Sequence, residues 1–438
     1  MPRQEPARRG SVVIVVLWAI SLAAVITTSV QLFGYRQATL GREAEARVQA
    51  RWAARAGVEY TIAVMASHTQ KPVADHAFAM VRDMENVHEG DLHRASYDIR
   101  HHSEGKTWRG PMDEHSKFNL ANNDRGMILN LLEDMSIDIL VAIEDWIDAD
   151  DNVGNLGAER DWYLSRESPY EPRNGPLRSV AELELVAGIW PQYLRGEDWN
   201  LNGRLDPNED DGPRSWPLDE PDEYLDAGWS AFLTTHSVRG GATASGLPRI
   251  DLGDTDVDEL EDRLDVDEAQ AEALMRMAGT AGSGLEVLLT VPLATFAQRR
   301  PGSSVEALTS QQITAIFAET SRSDPRRRLP GKMNINTIPA ELLRDLVVEL
   351  GAEEVIADEI LFLRESRPEG IASITELEEI PDLEPALRQR LAELMDTSSN
   401  VYTISSKGRS WSTGAEVEII AVVDRSTLPV RILEYREP

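Results

Sequence analysis

Between Arg9 and Arg36 this chain of 438 residues has no charged side chain, and Val12 to Phe33 is dominated by Val, Ile, Leu and Ala. A helix rising 1.5 Å per residue over that run covers the roughly 30 Å hydrocarbon core of a bilayer. Arg3, Arg8 and Arg9 precede it, so the excess of positive charge holds the start of the chain in the cytoplasm and sends the rest across, into the periplasm. A cleaved secretory signal is the plain alternative. Its apolar core is shorter and ends in a small-x-small site, and none stands near Gln31 to Ala38. Beyond Gly34 the sequence YRQATLGREAEARVQARWAARAGVEYTIAVMAS stays Ala-rich, interleaves charges and has no Pro, which predicts one long helix leaving the membrane.

The length allows two or three domains with cores of their own. Lys and Arg number 44 against 75 Asp and Glu, a net charge of −31, which repels phosphate backbones and argues against nucleic acid as a partner. The chain has no Cys, which excludes disulfide staples, thiolate metal sites and cysteine nucleophiles.

Three segments share a short strand-like start, a polar pair and an amphipathic helix: KFNLANNDRGMILNLLEDM from Lys117, PRIDLGDTDVDELEDRLDVDEAQAEALMRM from Pro248, and KMNINTIPAELLRDLVVELGAEEVIADEILFLRE from Lys332. In the third, Asn336 or Thr337 is placed to cap a helix with Pro339 in its first turn and Leu342, Leu343, Leu346 and Val347 on one face. A second small unit follows each of the outer two, SVAELELVAGI from Ser179 and SITELEEIPDL from Ser373, where Ser ahead of a Glu-rich turn reads as a helix start. These units read as helix-hairpin-helix (SAM-like) modules. Such hairpins often grip DNA through backbone amides at glycines. Here the hairpin is Ile380-Pro381-Asp382-Leu383-Glu384, with carboxylates where phosphates should sit, so a helix-hairpin-helix DNA-binding protein is the disfavoured alternative.

The basic leader ends in Arg8-Arg9-Gly10, followed by Ser11 and VVIVVLWAISLAAVI. It resembles a type IV prepilin leader, which a prepilin peptidase cuts between Gly10 and Ser11, leaving the apolar segment attached. Most pilin-like proteins carry Glu at the fifth mature position; here it is Val15. A carboxylate in lipid is costly unless a partner neutralises it, such as the terminal amine of the subunit above in a filament. A subunit lacking it suits the tip, where nothing sits above.

Further motifs are similar to those of the type II secretion system minor pseudopilin K family (general secretion pathway protein K). Asp113-Glu114 followed by Lys117-Phe118-Asn119-Leu120 resembles the family's entry motif, and PYEPRNGPLRSVAELELVAGI, Pro169 to Ile189, resembles its most specific stretch. Lys332 to Thr337 and the alternating tail VYTISSKGRSWSTGAEVEIIAVVDRS, which predicts an antiparallel hairpin, extend the likeness. The resemblance implies an α+β fold: an N-terminal transmembrane long helix with a pilin-like antiparallel sheet, interrupted by a large α-helical insertion. The expected division is a leader over 1–10, a transmembrane helix over 11–34, pilin-like helix and first strands over 35–117, the insertion over 118–395 and the last strands over 396–438. It also implies a non-enzymatic subunit of the bacterial inner membrane that initiates pseudopilus assembly at the tip. Its partners would be I- and J-type minor pseudopilins, the pseudopilus, the peptidase and exported proteins. A type IV pilus minor pilin is the alternative in the same class, which the insertion disfavours. The acidic stretch of about 206–328 exceeds what shorter relatives carry.

Asp198, Asn200, Asn202, Gly203, Arg204, Asp206 and Glu209 stand at positions 1, 3, 5, 6, 7, 9 and 12 of an EF-hand calcium loop. Side-chain oxygens at odd spacings converge on the ion, Gly permits the turn, Arg204 offers its carbonyl and Glu209 closes the shell bidentately. Gly196 and Pro207 crowd the loop, so a lone structural calcium loop is expected, without flanking EF helices. A looser second set is Asp148, Asp150, Asn152 and Glu159, with Gly154 one place late. There is no HExxH, GxSxG or Walker motif, and His101-His102 reads as an exposed strand end or turn. A membrane-anchored, calcium-stabilised hydrolase remains the enzyme alternative.

Overall fold

The computed structural model describes residues 10–438 except 74–75, 123–124, 241–242, 244, 281–283, 299–304, 323 and 325–328, with side chains from Val12 onward. The leader before Gly10 therefore lies outside the described residues. One helix, Gly10–Gln70, opens the fold. Every side chain from Val12 to Glu45 is exposed, and this half is long and apolar enough to cross a membrane.

The second half of the helix is amphipathic on a different basis. Ala46, Ala50, Ala53, Ala54, Val58, Thr61, Met65 and Thr69 are buried, a helical stripe of mostly small side chains that lets a sheet come close. How close is visible at Gly408, where an added Cβ would lie 1.9 Å from the Ala50 carbonyl oxygen. The sheet runs Glu89–Leu92, Ala95–Ser103, Val401–Ser410, Glu416–Asp424, Arg431–Arg436, all antiparallel, with Lys106–Arg109 on the second strand and Met112–Asp113 on the third. Tyr97, Ile99, Tyr402, Ile404, Ile419, Ala421 and Val423 face the helix and make one core with Val58 and Met65. The tail forms the hairpin its alternation predicts. Its first strand, however, is buried on both faces: Thr403 and Ser405 are shielded as well, because the insertion covers the far side.

Between Asp113 and Val401 the described residues stand outside the sheet, and one plan recurs there three times. Each repeat opens with a two-residue strand and closes with a parallel partner: Phe118–Asn119 with Leu233–Thr234, Ile250–Asp251 with Thr320–Ser321, Met333–Asn334 with Met395–Asp396. The second residue of each opening strand turns the chain with its side chain. Asn119 Oδ1 accepts from Ala121 N, Asp251 Oδ1 from Gly253 N and Asn334 Oδ1 from Asn336 N, at 2.8, 2.9 and 2.9 Å. Helices follow, Ile137–Ile147 in the first repeat, Val257–Leu264 and Glu268–Gly279 in the second, Ala340–Glu349 and Glu354–Ser366 in the third.

The outer repeats continue through the 3-10 turns Val180–Leu185 and Ile374–Glu379, whose Ser179 and Ser373 cap them as expected. The middle repeat has the turn Leu285–Leu289 at the same place. Its sequence, Ser283-Gly-Leu-Glu286, carries the same Ser-x-x-Glu spacing, so the second unit expected only after the outer two follows the middle repeat as well. Asn336 and Thr337 do not cap Ala340–Glu349, where Pro339 holds the cap position. Asn336 instead exchanges hydrogen bonds with the Ile371 backbone, and Thr337 donates to Asp113.

Candidate metal centres and the insertion interface

Asp113 and Glu114 sit where the sheet hands over to the insertion, and both are buried. Asp113 Oδ2 accepts from Thr337 Oγ1 at 2.5 Å and Ser399 Oγ at 2.6 Å, and its Oδ1 from His115 N at 2.8 Å. Glu114 accepts from Thr403 Oγ1 of the sheet at 2.5 Å and from Thr234 Oγ1 of the first repeat's closing strand. Burial pushes the Glu114 carboxyl up, but Lys117, His236 and the two hydroxyls outweigh it and hold the pKa below the ordinary value. Two adjacent acids thus tie sheet, first repeat and third repeat together, the physical content of the Asp-Glu motif.

The loop Asp198–Glu209 lies against the outer face of the sheet. Asp198 accepts from Asn202 N and Gly203 N, both at 2.9 Å, Asn200 Oδ1 from Asn202 N, and Asn202 Oδ1 from Arg204 N at 2.7 Å. Gly203 has φ +66°, so the turn falls where the spacing put it. Asp206 Oδ2 takes the amides of Asn200 and Asn202, and Glu209 caps the backbone of Trp199 and Asp206. Asp198, Asn202, Asp206 and Glu209 are all buried. Burial raises the Asp198 pKa to about 6. Burial and the nearby Asp198 raise that of Glu209 to about 8. Two buried carboxyls that resist ionising, beside a third, suit a bound divalent cation, whose charge removes the repulsion. The five-residue helix Pro191–Arg195 precedes the loop, and no helix follows it among the described residues before Gly228.

The Arg204 side chain has a role the sequence did not suggest. It reaches out of the loop to Asp98 Oδ2 at 2.8 Å and to the Ser405 carbonyl, while Arg436 donates to the carbonyls of Asn200 and Leu201. His102 N donates to Gly203 O at 2.7 Å. The His pair is correspondingly not an exposed strand end: His102 is buried, and burial lowers the His101 pKa to about 4.

In the second set, Asp148 and Glu159 come together, joined by Asp145; their carboxylate oxygens lie within 4.8 Å of one another. Asp150 and Asn152 pair with each other instead, Asp150 Oδ1 accepting from Asn152 N at 2.8 Å. Asp145 sits in the last turn of the Ile137–Ile147 helix, where it reads from sequence as one more helix acid. Gly157 makes room for it, since a Cβ there would lie 2.0 Å from Asp145 Oδ2. Glu159 is buried and neither of its oxygens has a hydrogen-bond partner. Burial, then Asp145 and Asp148, raise its pKa to about 7. An orphaned buried carboxylate between two others also fits a cation.

Residues 114–196 match the family model described as Type II secretion system (T2SS), protein K. Over these residues the chain is similar to that family. That segment opens at Glu114, runs through the first repeat with Asp145, Asp148 and Glu159, and closes two residues before Asp198. The motif residues from Lys117 to Leu120 and from Pro169 to Ile189 lie inside it. The chain is also similar to one in "The Crystal Structure of the GspK-GspI-GspJ complex from enterotoxigenic Escherichia coli Type 2 Secretion System". The identity is 12%, covering 91% of this chain and 99% of that one at a TM-score of 0.47, too loose a likeness to carry a conclusion. No curated protein matches the sequence.

Proposed function

We propose that the chain is the K-type minor pseudopilin of a type II secretion system, a non-enzymatic subunit at the tip of the pseudopilus that initiates its assembly. The observation that carries this reading is the combination of a protein K segment with a helix exposed over its first half and packed by small residues on an antiparallel sheet over its second. The apolar half anchors the chain in the inner membrane and the bulk faces the periplasm. Cleavage between Gly10 and Ser11 by a prepilin peptidase releases the anchor for assembly. Val15 leaves the fifth mature position without a carboxylate, which suits the uppermost subunit. The helical repeats, of helix-hairpin-helix type, form the body above the sheet, and the Asp198–Glu209 loop holds a structural calcium ion, with a second at Asp145, Asp148 and Glu159.

Packing with the I- and J-type minor pseudopilins falls to the helix face opposite the sheet, where Val48 and Trp52 are 55% and 61% exposed. A photo-crosslinker replacing Trp52 tests this in cells carrying the cognate secretion system. Adducts with those two subunits are expected. Adducts with the chain itself alone, together with normal export in its absence, contradict the assignment.

A further inference from the structure

Lys407 stands on the Val401–Ser410 strand, and its Nζ lies 2.7 Å from Asp206 Oδ1 at position 9 of the loop. The two side chains are 24% and 11% exposed, so the pair is sheltered and little screened. The rest of the loop's hydrogen bonds to its acids come from neutral amides.

The strand register gives the ammonium somewhere else to go. Lys407 lies directly opposite Asp98 on one neighbouring strand and Glu418 on the other, so three acids, Asp98, Glu418 and Asp206, surround one lysine at cross-strand reach. Asp98 is engaged by Arg100 and Arg204. Among the described residues Glu418 takes only the Ser405 hydroxyl, at 2.6 Å, and the Asn202 amide. Lys407 can therefore leave Asp206 for Glu418 without being stranded.

We propose that Lys407 is a built-in counter-ion for the loop: its ammonium neutralises Asp206 when no metal is bound, and a divalent cation in the loop competes with the Lys407–Asp206 ion pair. This rests on the calcium reading of the loop and adds how the site is regulated. The loop is kept folded in both states, and the exchange takes place on the sheet, so cation occupancy is sensed by the strand between Asp98 and Glu418 as well as by the insertion.

Calcium titration of the detergent-solubilised full chain by calorimetry, with melting curves in chelator and in calcium, tests the exchange. Lys407→Gln should bind calcium about tenfold more tightly, the factor equivalent to ~1.4 kcal/mol, yet melt below the parent in chelator. Lys407→Arg, which keeps the charge, should stay close to the parent in both. The double variant Lys407→Gln with Asp206→Asn supplies a readout that general electrostatics does not move. The 206–407 coupling should be present in chelator and absent at saturating calcium. Unchanged or weaker calcium binding in Lys407→Gln, or equal coupling in both conditions, overturns the proposal while leaving the loop a calcium site. A parent chain that binds no calcium removes the site itself.

Discussion

Without metal, the chain should lose stability as the pH rises through neutrality, the reverse of what a protein whose acids are held ionised does. Glu209 has a folded pKa of about 8 against an ordinary 4.5, and burial is the first cause, with Asp198 next. A carboxyl raised in the fold binds its proton more tightly there than in the unfolded chain, so its contribution is complete below pH ~4.5 and is lost as the pH climbs toward 8. From pH 5.5 to 7.5 that amounts to two units at ~1.4 kcal/mol each, about 2.7 kcal/mol from Glu209. Glu159, raised to about 7, adds to the same slope over most of the window, and together the two outweigh His101, whose pKa lowered to about 4 gives the opposite slope up to about pH 6.5. The assay is chemical denaturation of the detergent-solubilised chain in chelator across that range, repeated in millimolar calcium. Stability should fall by a few kcal/mol in chelator and stay level in calcium, whose charge replaces the proton. Glu209→Gln should flatten the chelator curve and abolish most of the calcium effect. A chelator curve that rises with pH, or the same slope in calcium, would refute the reasoning about buried, cation-seeking carboxyls.

Other consequences are simpler to check. Asp113→Ala leaves the Thr337 and Ser399 hydroxyls and the His115 amide without their acceptor and should cost about 2–4 kcal/mol by denaturation. Gly408→Ala forces a methyl against the Ala50 carbonyl, and with backbone rather than a flexible side chain in the way it should cost about 3 kcal/mol or more, read as a lower melting temperature. Gly10→Ala should slow cleavage by a prepilin peptidase in a time course of precursor conversion. Asp145→Asn should weaken calcium binding at the second site while Asp150→Asn leaves it nearly unchanged, because only Asp145 meets Glu159 and Asp148.

Much of this architecture could be read from residue order because it depends on local rules. The apolar run from Val12 fixes the anchor, alternation fixes the 401–424 hairpin, and Asp-x-Asn-x-Asn-Gly fixes the turn at Gly203. The parallel two-residue strands closing each repeat could not be read, since no periodicity exists over two residues and the partners are separated by 62 to 115 positions. The same distance hides Lys407, 201 positions from Asp206, and the acceptors of Arg204. Asp145 was missed for a different reason: a carboxylate in a helical pattern carries no mark of facing inward, and Gly154 and Gly157, which let the following loop fold over it, look like ordinary turn residues. The burial of His101-His102 follows from the insertion lying over the sheet, a tertiary fact with no local signature.

The most direct test of the central assignment is N-terminal sequencing of the membrane-extracted chain, made with and without a co-expressed prepilin peptidase. A pseudopilin gives a new terminus at Ser11, and only with the peptidase. An intact terminus in both, or a cut beyond Phe33, contradicts the assignment.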